Sequence, residues 1–320
     1  MTFPGTSRRR WQVLQSLLAA LLIGFAAWYL WRQWRSASAV TLRLEIRWGW
    51  LALASLIVLV TYVFLIEVWR RVLERFGSRI GFREASRIWF VSNLGKYVPG
   101  KVWQVTAMAA MLNRAGVGMA TAGSAAAVIT VANVVAGFAI LMLVGVPAVR
   151  AVGGHAQLAL AVATTMLLLM MVAAPFTMSV VSRVAGRVLR RPVELSIPPA
   201  ASWISLAGCA VAWLLYGVAF QLFTVSLIGS ARAPWLSYVA VYTLSYLVGY
   251  LVLIVPGGVG PREAVLSAVL VALKMATPAE AAAVTVASRL WLTVLEVVPG
   301  LVYLVLPSRP LGDRSVNARS

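Results

Sequence analysis

Cysteine, histidine and aspartate each occur once in the chain, as Cys209, His155 and Asp313. A single cysteine makes no intrachain disulfide and no thiolate cluster, and one histidine with one aspartate leaves most zinc and two-metal chemistries without ligands. Aspartate-dependent sugar-nucleotide binding lacks its carboxylate for the same reason, because Asp313 sits in the C-terminal tail. Acidic residues as a class are scarce: 9 Asp and Glu stand against 28 Lys and Arg, giving a formal net charge of +19 and a pI near 11.4. Such an excess raises nucleic acid as a partner. The arginines, however, lie in loops between apolar segments rather than on one soluble face, as a positive-inside bias requires, so no nucleic acid is expected. Nothing matches the G-x-x-x-x-G-K-[ST] phosphate loop, which removes a built-in ATP-binding element.

Apolar sequence fills the chain instead. Hydrophobic residues make up 61% of it and the mean hydropathy is +0.88, with several runs of about 20 residues, the length that crosses a hydrocarbon core of roughly 30 Å. The expected fold is all-α: one integral membrane domain over 1–320, with a flexible cytoplasmic tail at 308–320. Six full spans are placed at about Gln12 to Trp31, Trp48 to Trp69, Thr121 to Val146, Gln157 to Val180, Trp203 to Ile228 and Ala279 to Leu306. The last is expected to kink at Pro299-Gly300. The first, preceded by Arg8 to Arg10, is too long for a signal-peptide core and is read as uncleaved.

Two Val-Pro-Gly turns break the pattern. Arms at Glu84 to Val98 and Val102 to Leu112 flank the first, and at about 15 residues each they are too short to cross. They are expected to form a re-entrant hairpin, which is tolerated where its non-helical tip is buried in protein or in a wet cavity. Arms at Pro234 to Val255 and Arg262 to Ala276 flank the second; these are longer, so either a second re-entrant hairpin or two further crossings, eight spans in all, fits. On either count 17 basic residues fall on the side of the N-terminus and 7 on the other, which places both termini in the cytoplasm of an inner, cell-membrane protein. An offset of 157 residues lays Val98-Pro99-Gly100 on Val255-Pro256-Gly257. With span, hairpin, span in both halves, this suggests an inverted repeat, one unit at about 48–146 and the other at about 203–306.

The four remaining basic residues, Lys96, Lys101, Arg262 and Arg289, lie at membrane depth with Glu263 and Glu296. Ionisable groups there are costly and by default functional. Four positive and two negative charges leave an excess that a bound phosphate would balance. Backbone N–H groups at Gly100 and at Gly257-Gly258 would help, as would the helix N-terminus near Arg262. Asn93, Tyr97, Trp103 and Gln104 are candidate hydrogen-bonding or rim residues. Structural readings stand beside this one: Lys96 and Lys101 snorkel to an interface, or Arg262 with Glu263 and Arg289 with Glu296 are ion pairs that fix packing. Glu67 reads as interfacial, His155 as a loop residue, Cys209 as a small apolar packer, and the small residues of Ala120 to Gly137 as a close helix contact.

The stretches N-L-G-K-Y-V-P-G-K-V-W, Asn93 to Trp103, and V-P-G-G-V-G-P-R-E, Val255 to Glu263, together resemble the membrane region of the lysylphosphatidylglycerol synthase family. Asn93, Lys96, Tyr97, Pro99, Gly100 and Trp103 match the first signature; Pro256, Gly257, Gly258, Gly260, Arg262 and Glu263 match the second. The resemblance implies a multi-span domain that moves lipids across the bilayer. The chain stops shortly after the last span, so the soluble aminoacyl-transfer domain of full-length synthases, and lysyl transfer with it, is not expected. A flippase-like translocator of a membrane phospholipid or polyprenyl-linked lipid, without catalytic residues, cofactor or metal, is the leading expectation. An intramembrane enzyme on lipid phosphates, with Glu263 or Glu296 as base, is the alternative. A scaffold for a partner glycosyltransferase is a third.

Overall fold

The computed structural model describes residues 46–97, 102–151, 153, 155–189, 197–252 and 260–306. Every regular element among the described residues is helical. In chain order these are α1 (Trp48–Arg75), α2 (Phe82–Asn93) leading into a 3-10 turn (Leu94–Tyr97), α3 (Val102–Arg114), α4 (Met119–Val144) and α5 (Val146–Arg150). There follow α6 (Ala156–Leu189), α7 (Pro199–Ile228), α8 (Trp235–Leu251), α9 (Pro261–Ala272) and α10 (Pro278–Val305). The expected span at Gln12 to Trp31 and the tail lie outside the described residues.

Four helices, α1, α4, α7 and α10, are long and apolar enough to cross a membrane. With 26 to 30 residues each, they reach about 40 Å at 1.5 Å per residue, ample for the hydrocarbon core. The start of α6 and the whole of α8 are shorter apolar helices. By contrast α2, α3 and α9 have 12, 13 and 12 residues, which at the same rise is about 18 to 20 Å. Among the described residues the expected spans and hairpin arms fall on helices, most to within a few residues, although α6 continues to Leu189 beyond the expected end at Val180; the short helix α5 is an addition to them.

Local sequence explains the boundaries. Pro199 and Pro261 open α7 and α9 at positions where a missing N–H costs nothing. Thr277 and Glu280 cap α10 reciprocally: Glu280 N donates to Thr277 Oγ1 at 3.3 Å and Thr277 N donates to Glu280 Oε2 at 2.8 Å. Pro299 lies inside α10, which continues to Val305.

Helices α1 and α7 form the centre. They run antiparallel, because Arg47, just before α1, donates its backbone N–H to Ser226 O at 2.9 Å and its Nη1 to Gly229 O at 2.8 Å, occupying carbonyls at the end of α7. The next contact is closer still. A Cβ on Gly217 would stand 2.5 Å from Val239 Cα, so α7 meets α8 backbone to backbone. Around this centre the other helices pack in matching pairs: α2 lies against α10 as α8 lies against α4, and α3 packs on α4 as α9 packs on α10. Trp69, Ile88, Phe220 and Tyr238 are fully buried where these helices meet.

Candidate functional site

Helices from both halves converge on a cavity of about 240 Å³. Asn93 and Gln104 reach its wall from the first hairpin, Arg262 from the second, and Arg289 and Glu296 from α10. All five were candidates on sequence, and folding brings them together although they span some 200 positions of chain.

The first hairpin is closed by an amide pair. Gln104 Nε2 donates to Asn93 Oδ1 at 2.5 Å, joining the end of α2 to the start of α3. This closeness needs a glycine in the turn: a Cβ on Gly95 would come within 2.9 Å of Gln104 N. Asn93 is 8% exposed, so the pair satisfies polar groups that would be expensive to bury singly.

Arg262 is held by rings. Its guanidinium carbon lies 5.4 Å from the centroid of Tyr242 and 5.0 Å from that of Tyr246, contacts worth about 0.5–2 kcal/mol each. The rings are themselves fixed. Tyr242 stacks on Tyr216 at 5.9 Å, Tyr246 meets Trp213 edge-on at 5.1 Å, and Trp213 Nε1 donates to Asn133 O at 2.9 Å. An arginine 7% exposed therefore keeps its charge in place, directed by quadrupoles rather than by a carboxylate.

Glu263 turns elsewhere. Its Oε1 lies 3.5 Å from Arg289 Nε, and its Oε2 accepts the Gly260 N–H at 2.6 Å. This corrects the sequence-based pairing of Arg262 with Glu263. Neighbours on a helix point about 100° apart, so one faces the α8 rings and the other faces α10. At the N-terminus of α9, one of the N–H groups expected to help hold an anion, that of Gly260, is thus taken by the Glu263 carboxylate. Arg289 and Glu296, 8% and 7% exposed, share a face of α10 and both line the cavity. Among the described residues, the charged side chains that line the cavity are Arg262, Arg289 and Glu296; Arg289 is compensated by Glu263 at 3.5 Å, while Arg262 makes its contacts with tyrosine rings. A guanidinium in a low-dielectric site favours an anion beside it.

Other candidates stand apart. Trp103 is half exposed and Gly260 is exposed, and neither lines the cavity. Pro99, Gly100, Lys101, Pro256, Gly257 and Gly258 lie outside the described residues, as do the side chains of Lys96 and Tyr97. Glu67 bonds Arg70 at 2.5 Å and lies 3.3 Å from Arg71, a structural role. Among the described residues no three His, Cys, Asp or Glu side chains are grouped to hold a metal ion.

Sequence reading passed over the aromatic wall. Tyr62, Trp89, Trp213, Tyr216, Tyr242, Tyr246 and Tyr250 all line the cavity. One signal was available: Tyr238, Tyr242, Tyr246 and Tyr250 recur every fourth residue along α8, which puts them on nearly one helical face.

A family model described as Lysylphosphatidylglycerol synthase TM region matches residues 12–300. No curated protein matches the chain.

Proposed function

The chain belongs to the lysylphosphatidylglycerol synthase transmembrane-region family and is a multi-pass membrane protein; from that premise we propose that it is a flippase-like translocator of lipids with a phosphate head group. One observation carries the reading: Arg262 and Arg289, both buried, line the same cavity as Asn93 and Gln104 from the opposite hairpin. Two buried guanidiniums lining one small cavity support an anion site, and guanidinium binds phosphate oxygens in pairs.

At about 240 Å³ the cavity is below the usual range for whole small-molecule ligands. It admits a head group and leaves the acyl chains in lipid. The short helices α2 with α3, and α8 with α9, act as re-entrant arms of two inverted repeats, and rocking of one repeat against the other exposes the head group to each side in turn. The arginine-rich loops on one face orient both termini to the cytoplasm of a cell membrane. The protein performs no covalent chemistry on this reading; a glycosyltransferase that makes or uses the lipid is the partner it would serve.

Proteoliposomes carrying a fluorescent phospholipid, quenched from outside by a membrane-impermeant reductant, test the proposal. Transbilayer movement of the unaltered lipid is expected, with loss in Lys96→Ala, Arg262→Ala and Glu263→Ala proteins that still insert. A chemically changed lipid would support the intramembrane enzyme instead, and full transport by all three variants would remove the charged-site mechanism.

A further inference from the structure

The walls of the cavity carry more chemistry than a phosphate needs. Trp213 and Tyr216 line it with aromatic rings, and Gln104, Thr130 and Asn133 add neutral hydrogen-bonding groups. Cationic groups are discouraged: the Tyr242 and Tyr246 rings, which would otherwise attract an ammonium group, already hold Arg262. Arg289 adds a second positive charge to the wall, and Glu263 is engaged with Arg289 and Gly260. Among the described lining residues, a head group bearing ammonium charge would meet two guanidiniums and the Glu296 carboxylate.

A sugar or cyclitol ring has the complementary surface. Its C–H faces are apolar and pack on aromatic rings, while its edge of hydroxyls donates to and accepts from amides and hydroxyls. We infer that the lipid taken by this cavity carries a neutral, polyhydroxylated ring on its phosphodiester, with the phosphate at Arg262 and Arg289 and the ring against Trp213 and Tyr216. This rests on the translocator reading above and narrows its cargo. The source is lipid rather than a free sugar phosphate, because the cavity is built between membrane-spanning helices.

The test uses the whole protein in phosphatidylcholine nanodiscs doped in equal fraction with phosphatidylinositol, phosphatidylglycerol or lysylphosphatidylglycerol, and native mass spectrometry to count the lipid retained. Phosphatidylinositol should be retained about tenfold over phosphatidylglycerol, with lysylphosphatidylglycerol weakest. Tyr216→Leu and Trp213→Leu should bring phosphatidylinositol retention down to that of phosphatidylglycerol or below; Tyr216→Phe should keep most of the preference. Soluble glycerophosphoinositol at the same concentration should not displace the lipid.

Equal retention of phosphatidylinositol and phosphatidylglycerol, or preference for the lysyl lipid, overturns the inference, as does displacement by the soluble ester for its lipid-borne part. If the leucine variants do not fold, the three-lipid series on the unaltered protein still decides. The two readings fail separately. Movement of all three lipids at one rate in proteoliposomes overturns the ring preference alone, whereas selective retention without movement overturns translocation alone.

Discussion

Glu263 Oε1 and Arg289 Nε stand 3.5 Å apart, joining the first turn of α9 to the middle of α10. The carboxylate also caps its own helix through the Gly260 N–H. One side chain therefore fixes both the start of the second hairpin's return arm and the position of a cavity-lining arginine.

Neutralising either partner leaves the other charge buried and under-compensated. Glu263→Gln and Arg289→Gln should each lower stability by about 3 kcal/mol, the lower end for a broken buried pair, because the contact is long. The double variant should cost less than the sum of the two. Melting in detergent measures all three, and strict additivity would mean that the pair does not interact.

Arg262 should matter to ligand more than to fold. Its tyrosines are anchored by Tyr216 and Trp213 without it. Arg262→Ala should reduce lipid transport at least tenfold, with a melting temperature within a few degrees of the parent. Arg262→Lys should recover only part of the activity, since an ammonium group lacks the planar, paired donors. A collapse in stability with Arg262→Ala would make the residue a packing element.

The contact between α7 and α8 leaves no room for a side chain at Gly217, where an added Cβ would lie 2.5 Å from Val239 Cα. Gly217→Ala should destabilise by about 1–3 kcal/mol or more, the cost of overpacking against backbone. Gly123, in α4, has nothing within 4 Å of the same test atom, and Gly123→Ala should be neutral or slightly stabilising. Thermal denaturation of the pair separates the local clash from a general intolerance of glycine loss.

Cys209 is 1% exposed, and its Sγ lies 4.0 Å from Ile129 O. A bulky maleimide should leave it unlabelled in the folded protein and label it fully after denaturation. Rapid native labelling would mean that α4 and α7 separate in solution.

Orientation has its own test. In a Cys209→Ala background, Arg79→Cys and Arg114→Cys should react from the cytoplasmic face, and Arg150→Cys and Arg232→Cys from the other. Labelling of all four from one side would contradict the loop-charge argument.

Among the described residues, apolar runs and hairpin arms were legible in the sequence because hydrophobic length and Pro-Gly breaks act locally; the expected starts at Trp48 and Ala279 fall within a residue of their helices, while α7 begins at Pro199, ahead of the expected Trp203. The candidate site was legible in part. Charge at membrane depth singled out Arg262, Arg289 and Glu296, and the first signature singled out Asn93, with Gln104 a hydrogen-bonding candidate just beyond it. The partners of those charges were not legible. Arg262 and Glu263 are adjacent in the chain, yet helical rotation sends one to tyrosines of α8 and the other to Arg289.

What the sequence alone determined was the class of object, an all-helical membrane protein, since the solvation cost of each residue type depends on composition and run length. Tertiary structure decided that residues of both hairpins share one cavity, that aromatic rings line part of its wall, and that Glu263 of α9 reaches Arg289 of α10. Those facts rest on which helix faces meet, and that depends on close contacts such as Gly217 against Val239 and Gly95 against Gln104. No local pattern encodes such contacts, because each is a property of two distant segments at once.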